Sequence, residues 1–323
     1  MATPGILRLL QTIADGSVER FSPSITDDGG VNYPTVEREL PPSDGDPVEA
    51  LERLAEMGVL FREFQEKAYV CPECRADGMR YTTVCADCGS EHTIERQQRE
   101  HPPCGVIAPE AEFQAENGGV CPHCEQGVAI EDLPVVHQHV CQTCGSYADG
   151  TVGALRCREC AAVFDPQNAI EWVLYGYGIE EYGHQWLTTQ LNARAALQSM
   201  LVDRGFEVEV DTVVRTDDGD RDVHLYATEE LLDDRVIGAV HDRPDETDVD
   251  RLHRTTTAAN ARGVLATTSG SVTERADTLA EDYDIKLLRY TQEGSLTPDY
   301  TTDCERSDRS RSSVFERLTA SFR

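Results

Sequence analysis

Cysteine is the residue type through which this sequence can do chemistry. Eleven of its twelve cysteines lie between Cys71 and Cys160. They form five CxxC pairs, Cys71/Cys74, Cys85/Cys88, Cys121/Cys124, Cys141/Cys144 and Cys157/Cys160, plus the single Cys104. A CxxC turn aims two thiolates at one point, and a second turn completes the tetrahedral donor set that zinc prefers. A disulfide framework is the competing reading. The start, Met1-Ala-Thr-Pro-Gly, lacks the basic and long apolar segments of a secretion signal. The chain is therefore expected in the cytosol, where such pairs are more often metal sites or redox motifs. A redox CxxC normally comes singly on a βαβ unit, unlike this array.

Loop lengths suggest a pairing. Ten residues separate Cys74 from Cys85, enough for one β-hairpin, so these four cysteines are read as one ribbon. Sixteen separate Cys124 from Cys141, which makes a second ribbon of Cys121, Cys124, Cys141 and Cys144. Cys104, Cys157 and Cys160 remain and need a fourth ligand. His101, three residues before Cys104, has the CxxC offset and is preferred, with His92, His139 and Asp165 as rivals. His123 and His137 read as solvated loop residues. Three closed four-ligand Zn²⁺ sites are thus expected, which supply folding energy and leave no open position for catalysis.

The order and spacing of several pieces resemble the thaumarchaeal output domain family. They are Tyr33-Pro34-Thr35-Val36, Leu54 to Phe64, the Cys71 and Cys85 knuckles, His101 to Gly105, and the Cys121, Cys141 and Cys157 knuckles. The resemblance implies metal binding and a part in signal output or regulation, with no known reaction. Such modules often sit beside a receiver domain, and none is visible here.

The elements that must position these groups can be read from pattern. Ile6 to Ile13 suits a short helix. Residues 15 to 46 read as an irregular arm. Asp46 and Pro47 suit the N-cap and first turn of a helix that Gly58 closes. The segment from Val59 to Val70 leads as a strand into the first knuckle, an order also found at the end of a winged-helix unit. Beyond the knuckles, 166–183 reads as a linker in which Trp172, Tyr175, Tyr177 and Tyr182 form an interdomain core. Residues 184 to 204 read as a helix, followed by strands near 206–214, 222–227 and 235–240, with a turn at Asp217-Asp218-Gly219-Asp220. A helix over 248–262, a strand at 263–267, a helix over 272–282 and a strand at 285–288 complete a mixed sheet with helices on both faces. A receiver-like sheet is the other α/β candidate for this order.

That order resembles the restriction-endonuclease-like fold of the Mrr type over about 184 to 290. Gly205-Phe206-Glu207-Val208, Asp222-Val223, and Gly263 to Ser269 with Ala276, Leu279 to Glu281 and Ile285 to Leu288 carry the likeness. Asp222 falls at the first metal carboxylate of that fold. Where the resemblance implies an acidic or amide residue and a lysine two apart on the next strand, this chain has Ala239 and His241. The domain is therefore expected to be inactive and no catalytic residue is assigned. If it were active, Asp222 and His241, with Asp220, would be the residues involved. Strand alternation turns Asp242 to the other face.

The expected class is α+β. The expected order is an N-terminal arm, helix and strand (1–70), a multi-zinc-ribbon module (71–165), the linker (166–183), the endonuclease-like domain (184–290) and a polar tail (291–323). The tail holds Cys304, and an amphipathic helix is read over 312–322. The formal net charge is −30, with 59 acidic against 29 basic residues and lysine only at positions 67 and 286. This matches the acidic habit of proteins in a molar-salt cytosol, as in halophilic archaea, where a Debye length of about 3 Å leaves nucleic-acid binding open. No apolar run reaches the roughly 18 residues of a membrane span. The expected function is non-catalytic regulation or signal output through nucleic acid, a protein partner or both. A metal-dependent DNA nuclease of the restriction or defence type with a rebuilt site, and a pure protein-interaction scaffold, are the alternatives.

Overall fold

A computed structural model describes residues 2–41, 44–115, 118–216, 219–230 and 233–303. The turn at Asp217-Asp218, Cys304 and the 312–322 helix expected from the sequence lie outside these residues. The chain divides into two compact units: residues 1–24, 32–65 and 175–323, and residues 25–31 and 66–174. The class is α+β.

The first unit is built on a six-stranded sheet. Its strands are Glu207–Thr216, Gly219–Glu229, Asp234–His241, Arg262–Thr267, Lys286–Tyr290 and Leu296–Thr297, hydrogen-bonded in that order. The first three form an antiparallel meander, the next two join in parallel, and the last returns antiparallel. The helix α4 (Glu181–Val202) covers one face through Ala193, Leu197 and Leu201, against Leu225, Ala227, Val236, Val240 and Leu288. Gly238 is what lets it approach: a Cβ there would lie 2.9 Å from Leu197 Cδ2. On the other face lie α5 (Glu246–Ala259) and α6 (Glu274–Asp282), around Val249, Leu252, Ala276 and Ala280. Asp245 caps α5 in a reciprocal box with Asp248, and Thr273 caps α6.

Three N-terminal helices belong to this unit. In α1 (Pro4–Ala14), Thr3 caps the first turn and Pro4 fills its first position, while Leu7, Leu9 and Leu10 are fully buried. The expected irregular arm contains α2 (Pro34–Glu39) and two short strands, Ser24–Ile25 and Val31–Asn32. In α3 (Pro47–Glu56), Asp46 accepts hydrogen bonds from the amides of Val48 and Glu49. The stretch read as a linker is instead ordered by pairing. Ile170–Ile179 is a strand hydrogen-bonded to Leu60–Val70, and the chain passes between the units within these two strands and at either end of residues 25–31.

The second unit is a set of small antiparallel ladders. Arg80–Val84 pairs with Val152–Arg156 over five residue pairs, and Thr93–His101 with Val135–Cys141 over seven. A third, local sheet joins Gln114–Ala115, Gly118–Val120 and Gly127–Val128. Phe113 is the one phenylalanine, tyrosine or tryptophan buried among the unit's described residues.

Candidate metal centres and the nuclease-like cleft

Each pair of metal-ligand candidates sits on the same turn. The amide of the residue after the second ligand donates to the carbonyl of the first: Arg75 to Cys71, Gly89 to Cys85, Gly105 to His101, Glu125 to Cys121 and Gly145 to Cys141. Closing the turn drives that residue into the left-handed region, with φ of 64° at Arg75, 70° at Gly89 and Gly105, 61° at Glu125, 77° at Gly145 and 62° at Ala161. Glycine adopts this conformation without penalty, whereas an L side chain costs about 1–2 kcal/mol. HxxC followed by Gly105 is therefore the same turn as CxxC followed by Gly89, in keeping with the CxxC offset from which His101 was read as a ligand.

The turns meet in three donor sets, each with its ligand atoms within 4.8 Å of one another: Cys71, Cys74, Cys157 and Cys160; Cys85, Cys88, Cys141 and Cys144; His101, Cys104, Cys121 and Cys124. This overturns the pairing expected from loop length, in which Cys71/Cys74 joined Cys85/Cys88, Cys121/Cys124 joined Cys141/Cys144, and His101/Cys104 joined Cys157/Cys160. The physical reason is the ladders. Antiparallel pairing of Arg80–Val84 with Val152–Arg156, and of Thr93–His101 with Val135–Cys141, aligns the knuckles at the strand ends, so the sets nest inside one another. The arms have matching lengths. Ten residues (75–84) face twelve (145–156), and twelve (89–100) face sixteen (125–140), as one nested hairpin requires.

The donor geometry suits a tetrahedral metal. Sulfur–sulfur separations are 3.6 Å for Cys71–Cys160, 3.5 Å for Cys74–Cys157, 3.7 Å for Cys85–Cys144, 3.5 Å for Cys88–Cys141 and 3.6 Å for Cys104–Cys121. The edge of a tetrahedron with metal–sulfur bonds of about 2.3 Å is about 3.8 Å. His101, buried, places Nδ1 3.1 Å from the Cys104 sulfur and 3.4 Å from that of Cys124. The eleven described cysteines are free thiols. Within the Cys85 set the Ser146 hydroxyl and the amides of Cys88 and Asp87 pull the Cys85 thiol down to about 6, while at Cys88 the pull of the Ser90 amide is outweighed by the neighbouring Cys144 and Cys141, which push the thiol up to about 12. The rivals stand elsewhere: His92 is exposed, His139 is in the ladder opposite Ala148, and Asp165 accepts from the Gln167 amide. His123 is exposed as expected, whereas His137 lies on the strand Val135–Cys141 rather than in a loop and holds Glu95 at 2.9 Å.

In the first unit, a small cavity lies under the start of α1, lined among others by Thr3, Asp222, His224, Ala239, His241 and Asp248. Asp222 and His241 are thus brought together. Asp220 is exposed and is not part of the lining. The cavity is not arranged as a cation site. Arg8 of α1 donates to Asp222 at 3.3 Å. Ala239 offers no donor, and the buried His241 has Nδ1 3.4 Å from Asp248 Oδ1. Among the described residues, no set of three or more donor atoms within 4.8 Å of one another includes Asp222 or His241. Asp242 accepts from Thr268, which accepts from Gln190 of α4, so it does face the opposite side of the sheet.

His224 was missed by sequence reasoning, although it follows Asp222 by two residues on one strand and so shares its face. It is buried, and its ring centroid is 5.7 Å from that of His241. Neither of its ring nitrogens has a hydrogen-bond partner, and the nearby Ala2 backbone biases it only weakly toward protonation. Burial pushes both imidazoles well below their ordinary range, and for His224 the neighbouring His241 adds to the shift.

A family comparison decides the first assignment: residues 6–179 match the model of thaumarchaeal output domain 1. The chain belongs to that family. In this output-domain protein, residues 191–292 then match a restriction endonuclease model of the Mrr catalytic type. No curated protein matches the chain. Among solved structures, a protein of unknown function is 14% identical, with TM-score 0.27, covering 32% of this chain and 62% of its own, less than two thirds. EndoMS in complex with double-stranded DNA is 10% identical, with TM-score 0.25, covering 75% and 92%. EndoMS without DNA is 10% identical, with TM-score 0.20, covering 74% and 92%. Overlaps this loose carry no weight for fold or function. No helix among the described residues is long and apolar enough to cross a membrane.

Two outcomes follow from these geometries. A Cβ on Gly105 would meet nothing within 4 Å, so Gly105→Ala tests backbone strain alone. It should cost the metal-loaded protein about 1 kcal/mol, and Ala161→Gly should return a similar amount. Thermal unfolding of both variants checks this. Separately, His224 and His241 titrate lower in the folded than in the unfolded chain. Above the unfolded value of about 6.5 both states are neutral and stability is unaffected. As pH falls below it the unfolded state gains protons first, and stability drops by up to about 1.4 kcal/mol per pH unit for each histidine. Denaturant unfolding followed by the buried Trp186 between pH 7.5 and 5 should show this fall, and His224→Leu should flatten it.

Proposed function

We propose that this output-domain protein is a non-catalytic, zinc-binding regulator that works by holding a partner, nucleic acid or protein, in the cytosol. Zinc fits its donor sets. Two sets of four thiolates and one of three thiolates and an imidazole are closed, soft, tetrahedral arrangements that leave no position for a reacting water. The metal's part is then to hold the ribbons together, and the Mrr-type sheet serves as a frame for binding.

The state of the cleft carries the non-catalytic reading. Hydrolysis of a phosphodiester in this fold needs a cation held by at least two acidic groups and a general base or lysine beside it. Here the one carboxylate at the expected place, Asp222, is neutralised by Arg8. The next position is Ala239, and the third is a buried imidazole beside Asp248. Leu7, Leu9 and Leu10 are fully buried, so α1 is part of the core rather than a loose cover.

Purified zinc-loaded protein titrated with labelled single- and double-stranded DNA in molar KCl, with and without Mg²⁺ or Mn²⁺, tests this. No strand breaks are expected in any condition, and Arg8→Ala, which frees Asp222, should not create them. Cleavage that Asp222→Ala abolishes would make the protein a nuclease with a rebuilt site. Binding without cleavage would identify nucleic acid as the partner, and no binding would turn the search to proteins.

A further inference from the structure

We propose that the three donor sets fill in a fixed order, from the innermost outward. The inference rests on the zinc reading above and extends it from which ligands meet to when they meet.

The nesting sets the order. Closing the His101 set on an open chain encloses the sixteen residues 105–120. Closing the Cys85 set first would enclose fifty-two, and the Cys71 set eighty-two. Closure probability falls with about the three-halves power of loop length, so the inner set is favoured over the outer by roughly tenfold. After the first closure the order reinforces itself. Thr93–His101 and Val135–Cys141 leave the inner knuckles side by side, and their seven-pair ladder leads directly to Cys85/Cys88 and Cys141/Cys144. Arg80–Val84 and Val152–Arg156 then carry the pairing to the outer set.

Packing points the same way. Ala108, Phe113, Cys121 and Leu133 form a small apolar cluster, joined by Cys104, Val106, Cys124 and Ile130, at the inner set. Its second-position ligands Cys104 and Cys124 are half-buried, whereas Cys74, Cys160, Cys88 and Cys144 are exposed. A chelator or an oxidant therefore meets the outer and middle sets first.

The test uses the full chain, stripped of metal under reducing conditions and given one, two or three equivalents of Zn²⁺. Thiols left unprotected are alkylated with N-ethylmaleimide and mapped by mass spectrometry. With one equivalent, Cys104, Cys121 and Cys124 should be protected about tenfold better than Cys71 and Cys160. The Cys85 set should follow with the second equivalent. Donor type is controlled with His101→Cys, which gives every set four thiolates and should leave the order unchanged. Cys157→Ser should still bind two metals tightly, whereas Cys121→Ser should require roughly tenfold or more zinc to load the remaining two sets. Even protection, protection of the outer set first, or unaffected loading in Cys121→Ser would overturn the order. No protection at three equivalents would overturn the zinc reading itself.

Discussion

From Glu66 to Leu174 the chain buries little that could hold it together. Phe113 and a thin scatter of aliphatic residues, among them Val84, Leu133, Val140 and Leu155, must answer for more than a hundred residues. Fixing each backbone residue costs about 1–2 kcal/mol, far more than that burial returns. Four soft donors converge at one point three times over, and a structural zinc at each would contribute about 10–16 kcal/mol. Much else in the unit follows from that demand. The turns must face their ligands inward, so six residues take left-handed backbone, three of them without being glycine. The ladders must be antiparallel and in register, because a slip of one residue would aim the knuckles apart.

The first unit is under no such demand. Its sheet is held by two apolar layers, α4 on one side and α5 with α6 on the other. Neither layer includes Asp222 or His241, while Ala239 belongs to the layer under α5 and α6, so that position is filled by core packing. The polar groups beside it carry a cost of their own. A carboxylate only 14% exposed is expensive alone, and Arg8 offsets that cost from a helix whose leucines are already buried. His224 is tolerated for a different reason, since burial keeps it neutral and leaves only unmet hydrogen bonds to be borne.

How much of this was legible varied with the range of the interaction that decided it. The α4–α6 frame was readable because its apolar spacing is a local signal of helix faces, although the caps Asp245 and Thr273, which start α5 at Glu246 and α6 at Glu274, were not read. The helix after Asp46 was readable for the same reason. The twelve ligands were readable as residues, since each knuckle is a four-residue motif. Their pairing was not, because a hairpin between neighbouring knuckles and a nested hairpin of matched arms satisfy the same local spacings. Only the strand register of Thr93–His101 with Val135–Cys141 separates them. The destination of α1 was equally hidden. Its leucines announce burial, but nothing near Arg8 in the chain names Asp222, 214 residues away.

Charge narrows the class of partner further. The ion pairs on the surface, such as Arg20–Glu63, Arg62–Glu52 and Lys67–Glu171, join groups that are about 40–50% exposed and add little to stability. They also use up cations that a polyanion would need, in a chain whose formal net charge is −30. A DNA-binding protein with spare lysines and arginines loses affinity as salt rises, through release of counterions from the phosphates. Here the long-range term has the opposite sign, and salt would help by screening repulsion until short-range contacts decide. Nucleic acid therefore fits this molecule only where salt is high and the contacts are few and close. A protein partner at lower salt would have to present a basic face.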